Sequence, residues 1–63
     1  MAHDINQLRR GGVYWATTDD GIAIGEYLGL ETLYGDPAIM LRHPHGIDSI
    51  SLREVTAIWP AAA

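Results

Sequence analysis

The chain has 63 residues, a net charge of −4 and no cysteine, which excludes disulfides and thiolate metal centres. Its 48% apolar content suits a globular domain. Four arginines and no lysine stand against eight carboxylates, a balance that argues against a general binder of nucleic-acid phosphates. No apolar run approaches the roughly 18 residues of a membrane span, and the first residues lack the charged-then-apolar build of a signal peptide. The expectation is a cytoplasmic protein with no membrane partner. A single domain of this size, residues 1–63, buries only about 60% of the surface its unfolded chain exposes. Small domains with so marginal a core add a staple, and without cysteine or a metal the remaining staple is a second copy.

DINQLRR, residues 4–10, predicts a short helix. Asp4 and Gln7 have the spacing of a capping box, Ile5 and Leu8 share a face, and Gly11 supplies a left-handed stop. Arg9 and Arg10 fall in the last turn, where the helix dipole favours cations. The period then changes to two. Residues 12–18 alternate Val13, Trp15 and Thr17 with Tyr14, Ala16 and Thr18, and the face carrying Trp15 is expected to be core. Asp19-Asp20-Gly21 predicts a hairpin turn. Residues 22–34 form the longest extended run, broken by Gly35-Asp36-Pro37. Strands follow at 38–43, 49–52 and 55–59, with a loop over 44–48 and a joint at Arg53-Glu54. Pro60 lacks an N–H and ends the pairing, and 61–63 are expected to fray.

Five short strands with turn signals every ~8–12 residues predict a small all-β barrel over 12–60. Gly25 and Gly29 lie inside the second run, which at 13 residues exceeds the usual ~5–6 of a strand. Glycines there mark the bend a small barrel needs. Gly25-Glu26-Tyr27-Leu28-Gly29-Leu30-Glu31 resembles the first motif of the Sm-like (LSm) family of SH3-like barrels, in which a glycine, an apolar residue, a second glycine, an apolar residue and an acid follow in order. Ala38–Leu41 stands where that family's third strand lies, and Ser49–Pro60 resembles its closing strand pair. The resemblance implies a five-stranded, strongly bent SH3-like barrel behind a short N-terminal helix, ring assembly, and binding of single-stranded RNA.

The uridine pocket of that family departs here. The acidic position is Glu31, Thr32-Leu33-Tyr34-Gly35 follows without the family's asparagine, and Arg53 is followed by Glu54 rather than glycine. Tyr34, which can stack on a base, and Arg53 are what remain for RNA. The resemblance therefore implies the assembly habit more strongly than the nucleotide pocket.

Little points to catalysis. The serines at 49 and 51 lie in a strand, Asp19-Asp20 is a turn, and no phosphate loop is present. His43-Pro44-His45 has no metal-ligand spacing and predicts an exposed turn, so no metal or cofactor is expected. Tiny SH3-like barrels can act as enzymes by sharing a pore among four copies, as a plasmid-borne dihydrofolate reductase does, but the strand that lines that pore has no counterpart in SISLREV. The aromatics are tyrosine and tryptophan, which suit interfaces. Trp59 follows the inward Ile58 and should point outward, either as an anchor for a partner or as a cover for the N-terminal helix. If the fourth and fifth strands are open edges, they invite another subunit. The expected function is a non-enzymatic, self-associating binding or assembly module. Its interface would use Ile50, Leu52 and Trp59, and its partner would be itself or an unidentified protein. An Sm-like RNA-binding ring comes second and an oligomeric pore-type enzyme third.

Overall fold

The computed structural model describes residues 7–61. It is an all-β structure of five strands: β1 (Val13–Thr18), β2 (Gly21–Leu33), β3 (Asp36–His43), β4 (Gly46–Ser51) and β5 (Ala57–Pro60). All pair antiparallel in one sheet of order β4-β3-β2-β1-β5. Most of the helix expected over 4–10 lies outside the described residues or at their border. Leu8 and Arg9 are irregular and Arg10-Gly11 is a turn, with the Gly12 N–H donating to the Arg9 carbonyl at 3.0 Å. No helix among the described residues is long and apolar enough to cross a membrane.

β2 organises the sheet. Its first half, up to Glu26, pairs with β1, and its second half, from Glu26 on, pairs with β3. The strand turns the corner between these halves with an irregularity between Tyr27 and Gly29, where Leu28 has no opposite residue on β3. Such a bulge bends a strand and increases its twist. The two glycines do different work there. An added Cβ on Gly25 would lie 2.6 Å from the Arg42 carbonyl oxygen, so only glycine lets β3 cross this closely. Gly29 holds a φ of +131°, and the Arg10 guanidinium lies where its Cβ would point. The sequence-based bend is thus found at these two residues.

The turns are short. Tyr34 and Gly35 both have positive φ, 52° and 84°, as a two-residue type I′ hairpin turn requires. The other two hairpins share a different plan. The Asp20 N–H donates to Thr18 Oγ1 (3.1 Å) and the His45 N–H donates to His43 Nδ1 (3.2 Å). In each the next residue is a glycine at φ +143°, Gly21 and Gly46. The loop expected over 44–48 therefore shrinks to Pro44-His45, because the His43 side chain satisfies the turn and frees Gly46 to begin β4. Likewise Leu52–Val55 is not strand. It forms two successive turns, with Glu54 N–H to Ser51 O and Val55 N–H to Leu52 O. These turn the chain toward β1, where Thr56 N–H meets Thr17 O at 2.8 Å.

The core consists of Tyr14, Ala16, Tyr27, Ile39, Leu41 and Ile58, with Leu8, Ala23, Ile50, Leu52 and Val55 packed on it. Among the described residues, Ile39 and Leu41 are the largest side chains fully removed from water. Tyr14 and Tyr27 meet edge to face, ring centroids 6.2 Å apart. The Tyr14 hydroxyl accepts from the Arg9 N–H at 3.0 Å. Gly11 and Gly12 bond to both backbone groups of Tyr27, which ties the N-terminal segment to β2. The face of β1 assigned to the core is reversed: Tyr14 and Ala16 are buried, while Val13, Trp15 and Thr17 point outward. Ala16 fits flush against a thin interior, and Tyr14 can enter it because its polar tip finds a backbone donor.

Candidate interaction surfaces

The outward face of β5-β1-β2 is apolar. Cross-strand partners share a face, and Trp15 stands opposite both Ile24 and Trp59, while Thr17 stands opposite Ile22 and Ala57. Trp15 and Trp59 stack with centroids 4.6 Å apart and planes at 23°. Around them Val13, Ile22 and Ile24 are 43%, 68% and 54% exposed. These side chains and the two indoles share the outward face of three neighbouring strands, the kind of apolar grouping that marks interaction sites when it is large. Asp20 lies beside Ile22 at one end of this face, and at the other are Glu26 and Arg42. Glu26 and Arg42 lie opposite each other on this face and are joined at 2.5 Å. That end of the face is therefore charge-balanced.

Beside this patch runs an open edge. β5 pairs with β1 on one side, and no described strand pairs with its other side; the same holds for β4 beyond β3. Natural sheets blunt their edges with lysine and proline. Neither edge here carries lysine, and the only proline on either is Pro60, at the end of β5.

The residues expected at the interface are not brought together. Trp59 faces outward on β5, as its neighbour Ile58 implies. Ile50 and Leu52 lie at the far side of the sheet, half-buried against the core. Tyr34 and Arg53, by contrast, come to one end. Tyr34 is 96% exposed at the β2–β3 turn, and Arg53 donates to Asp36, two residues further on, at 3.2 Å. That arginine therefore already faces a carboxylate, in a solvent-exposed pair worth at most ~1 kcal/mol.

His43 and His45 serve the turn between β3 and β4. With Nδ1 accepting from the backbone, the neutral His43 ring carries its proton on Nε2 and presents it to Asp48 at 3.2 Å. Among the described residues no three histidines or carboxylates are grouped to hold a metal ion. Ser49 Oγ donates to Glu31. Burial pushes the Tyr27 phenol above its ordinary value of 10.0, the nearby Arg10 charge partly offsetting this and Tyr14 adding to it.

No protein-family model matches the chain, and neither does any curated protein or any solved structure. The signal that sequence reading missed on this surface is the pair Ile22 and Ile24. Their period-two spacing matches that of Trp15 once the register across the Asp19-Asp20 turn is drawn.

Proposed function

We propose that the chain is a non-enzymatic assembly module that self-associates, built on a small barrel of the SH3-like, Sm-like kind. The observation that carries this reading is the apolar face of Trp15, Trp59, Val13, Ile22 and Ile24 beside the unpaired edge of β5. A second copy is a fitting partner for three reasons. The domain's own core contains few fully buried large side chains, so further burial has large relative value. Glu26 and Arg42 balance each other beside the Val13 end of the face, which lessens there the repulsion that the overall charge imposes on two copies. The edge can extend the sheet into a neighbour. Joining β5 of one copy to β4 of the next makes a heterologous contact that closes into a ring if the rotation allows, as the resemblance to Sm-like proteins implies. Tyr34 and Arg53 at one end keep single-stranded RNA as the second reading, weakened by the Arg53–Asp36 pair.

Light scattering on a sizing column over a hundred-fold concentration range tests the proposal. A particle larger than the 6.9 kDa chain is expected. Trp59→Ala should weaken association by at least about ten-fold, as loss of a central aromatic anchor does. A monomer at every concentration, or an oligomer indifferent to Trp59→Ala and to Ile24→Lys, would refute it.

A further inference from the structure

The side of the sheet away from β5 holds a second feature. Between β4 and the β1–β2 hairpin lies an open groove of about 390 Å³. Ile22, Ala23, Ile47 and Ile50 make its apolar surface, and Asp20, Asp48 and Glu54 bring carboxylates to it, with no arginine in the lining. Ile47 is 55% exposed and Ile22 68%, so the groove is an opening in the domain rather than part of its core. Asp48 faces His43, whereas the carboxylates of Asp20 and Glu54 make no ion pair among the described residues.

β4 borders this groove with its unpaired side. The Leu52 N–H donates to the Pro37 carbonyl, which shows the parity of the β3–β4 ladder. In an antiparallel pair the bonded residues alternate, so Ile50 and Asp48 turn their backbone groups toward β3. Ile47 and Ser49 then direct their N–H and C=O groups away from the sheet, and both line the groove. Backbone donors and acceptors at ladder spacing, an aliphatic floor and a rim of one charge thus occur together.

We infer that this groove receives an extended peptide segment of alternating aliphatic and basic residues, which adds to β4 as a sixth strand. Its backbone pairs with Ile47 and Ser49. Its aliphatic side chains lie on the outward face with Ile22 and Ile47, and its arginine or lysine heads fall on the other face with Asp48, within reach of the acidic rim that Asp20 and Glu54 complete. Strand addition takes its affinity from the main chain and its selectivity from alternate side chains, which is the division of labour these groups allow. Charge decides the class of occupant. A second copy of the groove, or an acidic segment, would bring like charges together in a partly desolvated place. The proposal does not rest on self-association, but it shares the β4 edge with the ring contact proposed above, so a neighbour's β5 and the peptide compete for it, and Trp59→Ala, which weakens association, should bind the peptide at least as tightly as the parent chain.

The test is fluorescence anisotropy with a labelled eight-residue peptide alternating valine and arginine, added to the full chain and to its Trp59→Ala variant. The expected result is micromolar binding to both. A valine–glutamate peptide should bind at least about ten-fold more weakly. Asp48→Asn and Glu54→Gln should each weaken the basic peptide by about three-fold, while Asp19→Asn, in the turn but outside the groove, should leave it unchanged. Methylating the peptide's backbone amides should abolish binding if the main chain is used. Spermidine competing as well as the peptide, equal binding of the methylated peptide, or indifference to Asp48→Asn would reduce the effect to general charge attraction and overturn the proposal. Binding confined to Trp59→Ala would assign the β4 edge to a second copy, which also overturns it.

Discussion

Gly25→Ala tests the account of the bend most directly. The new methyl group would sit 2.6 Å from the Arg42 carbonyl oxygen, against 3.4 Å where ordinary contact begins, a shortfall of about 0.8 Å. The same position is 3.0 Å from the Arg42 carbonyl carbon and 3.1 Å from its nitrogen, so no side chain can swing aside. Relief must come from separating β2 and β3 beside the Glu26–Arg42 and Tyr27–Leu41 pairs. Overpacking of this kind costs about 1–3 kcal/mol. A weakened ladder hydrogen bond adds about 1 kcal/mol. Replacing glycine in a strand returns roughly 0.5–1 kcal/mol through the unfolded chain. The net loss is about 1–3.5 kcal/mol, centred near 2–2.5, out of the ~3–9 kcal/mol that a domain of this length commands. At ~4–8 °C per kcal/mol the melting point should fall by roughly 10–20 °C. Thermal and urea unfolding followed by circular dichroism measure this. Gly46→Ala is the comparison, since its Cβ would meet nothing within 4 Å and only the φ of +143° is strained. A Gly25→Ala protein as stable as the parent would refute the close-crossing argument.

Ile39→Ala removes one of the two largest side chains wholly withdrawn from water among the described residues. The cost of such a cavity, about 2–5 kcal/mol, is comparable to the whole stability, so loss of dispersed amide resonances in an NMR spectrum at 25 °C is expected. The raised Tyr27 phenol predicts alkaline sensitivity. The folded state holds this proton to higher pH than the unfolded state does, so above pH 10 the unfolded chain gains by releasing it. The urea midpoint should therefore be level up to about pH 9.5 and fall as pH rises further, and Tyr27→Phe should flatten that fall. A midpoint that rises with pH in this window, or an unchanged profile in Tyr27→Phe, would contradict the burial assigned to the ring.

Much of the architecture is local and therefore legible in the residues. The strand periods, the turn at Asp19-Asp20 and the glycine-marked bend of β2 follow from side-chain alternation and from glycine's freedom of φ, which act over a few residues. Alternation from Ile58 likewise suffices to place Trp59 outward on β5, but Pro60 does not end the pairing as its missing N–H suggests: it stands opposite Tyr14, and the Ala61 N–H still donates to the Val13 carbonyl at 2.8 Å. Three things depend on what meets what across the sheet. Alternation on β1 defines two faces but does not rank them. Trp15 is the more hydrophobic candidate for the core, yet a thin interior takes Ala16 flush and lets Tyr14 reach the Arg9 N–H. The length of β4 rests on His43 capping its own turn, a side-chain contact that propensity does not encode. The apolar face and the acidic groove exist only once register joins Trp15 to Ile24 and Trp59, and the fold sets Asp20 near Asp48 and Glu54. Local chemistry thus decided where this chain runs straight and where it turns. Tertiary packing decided which side of each strand meets water, because burial is a property of the neighbours a strand acquires and not of the strand itself.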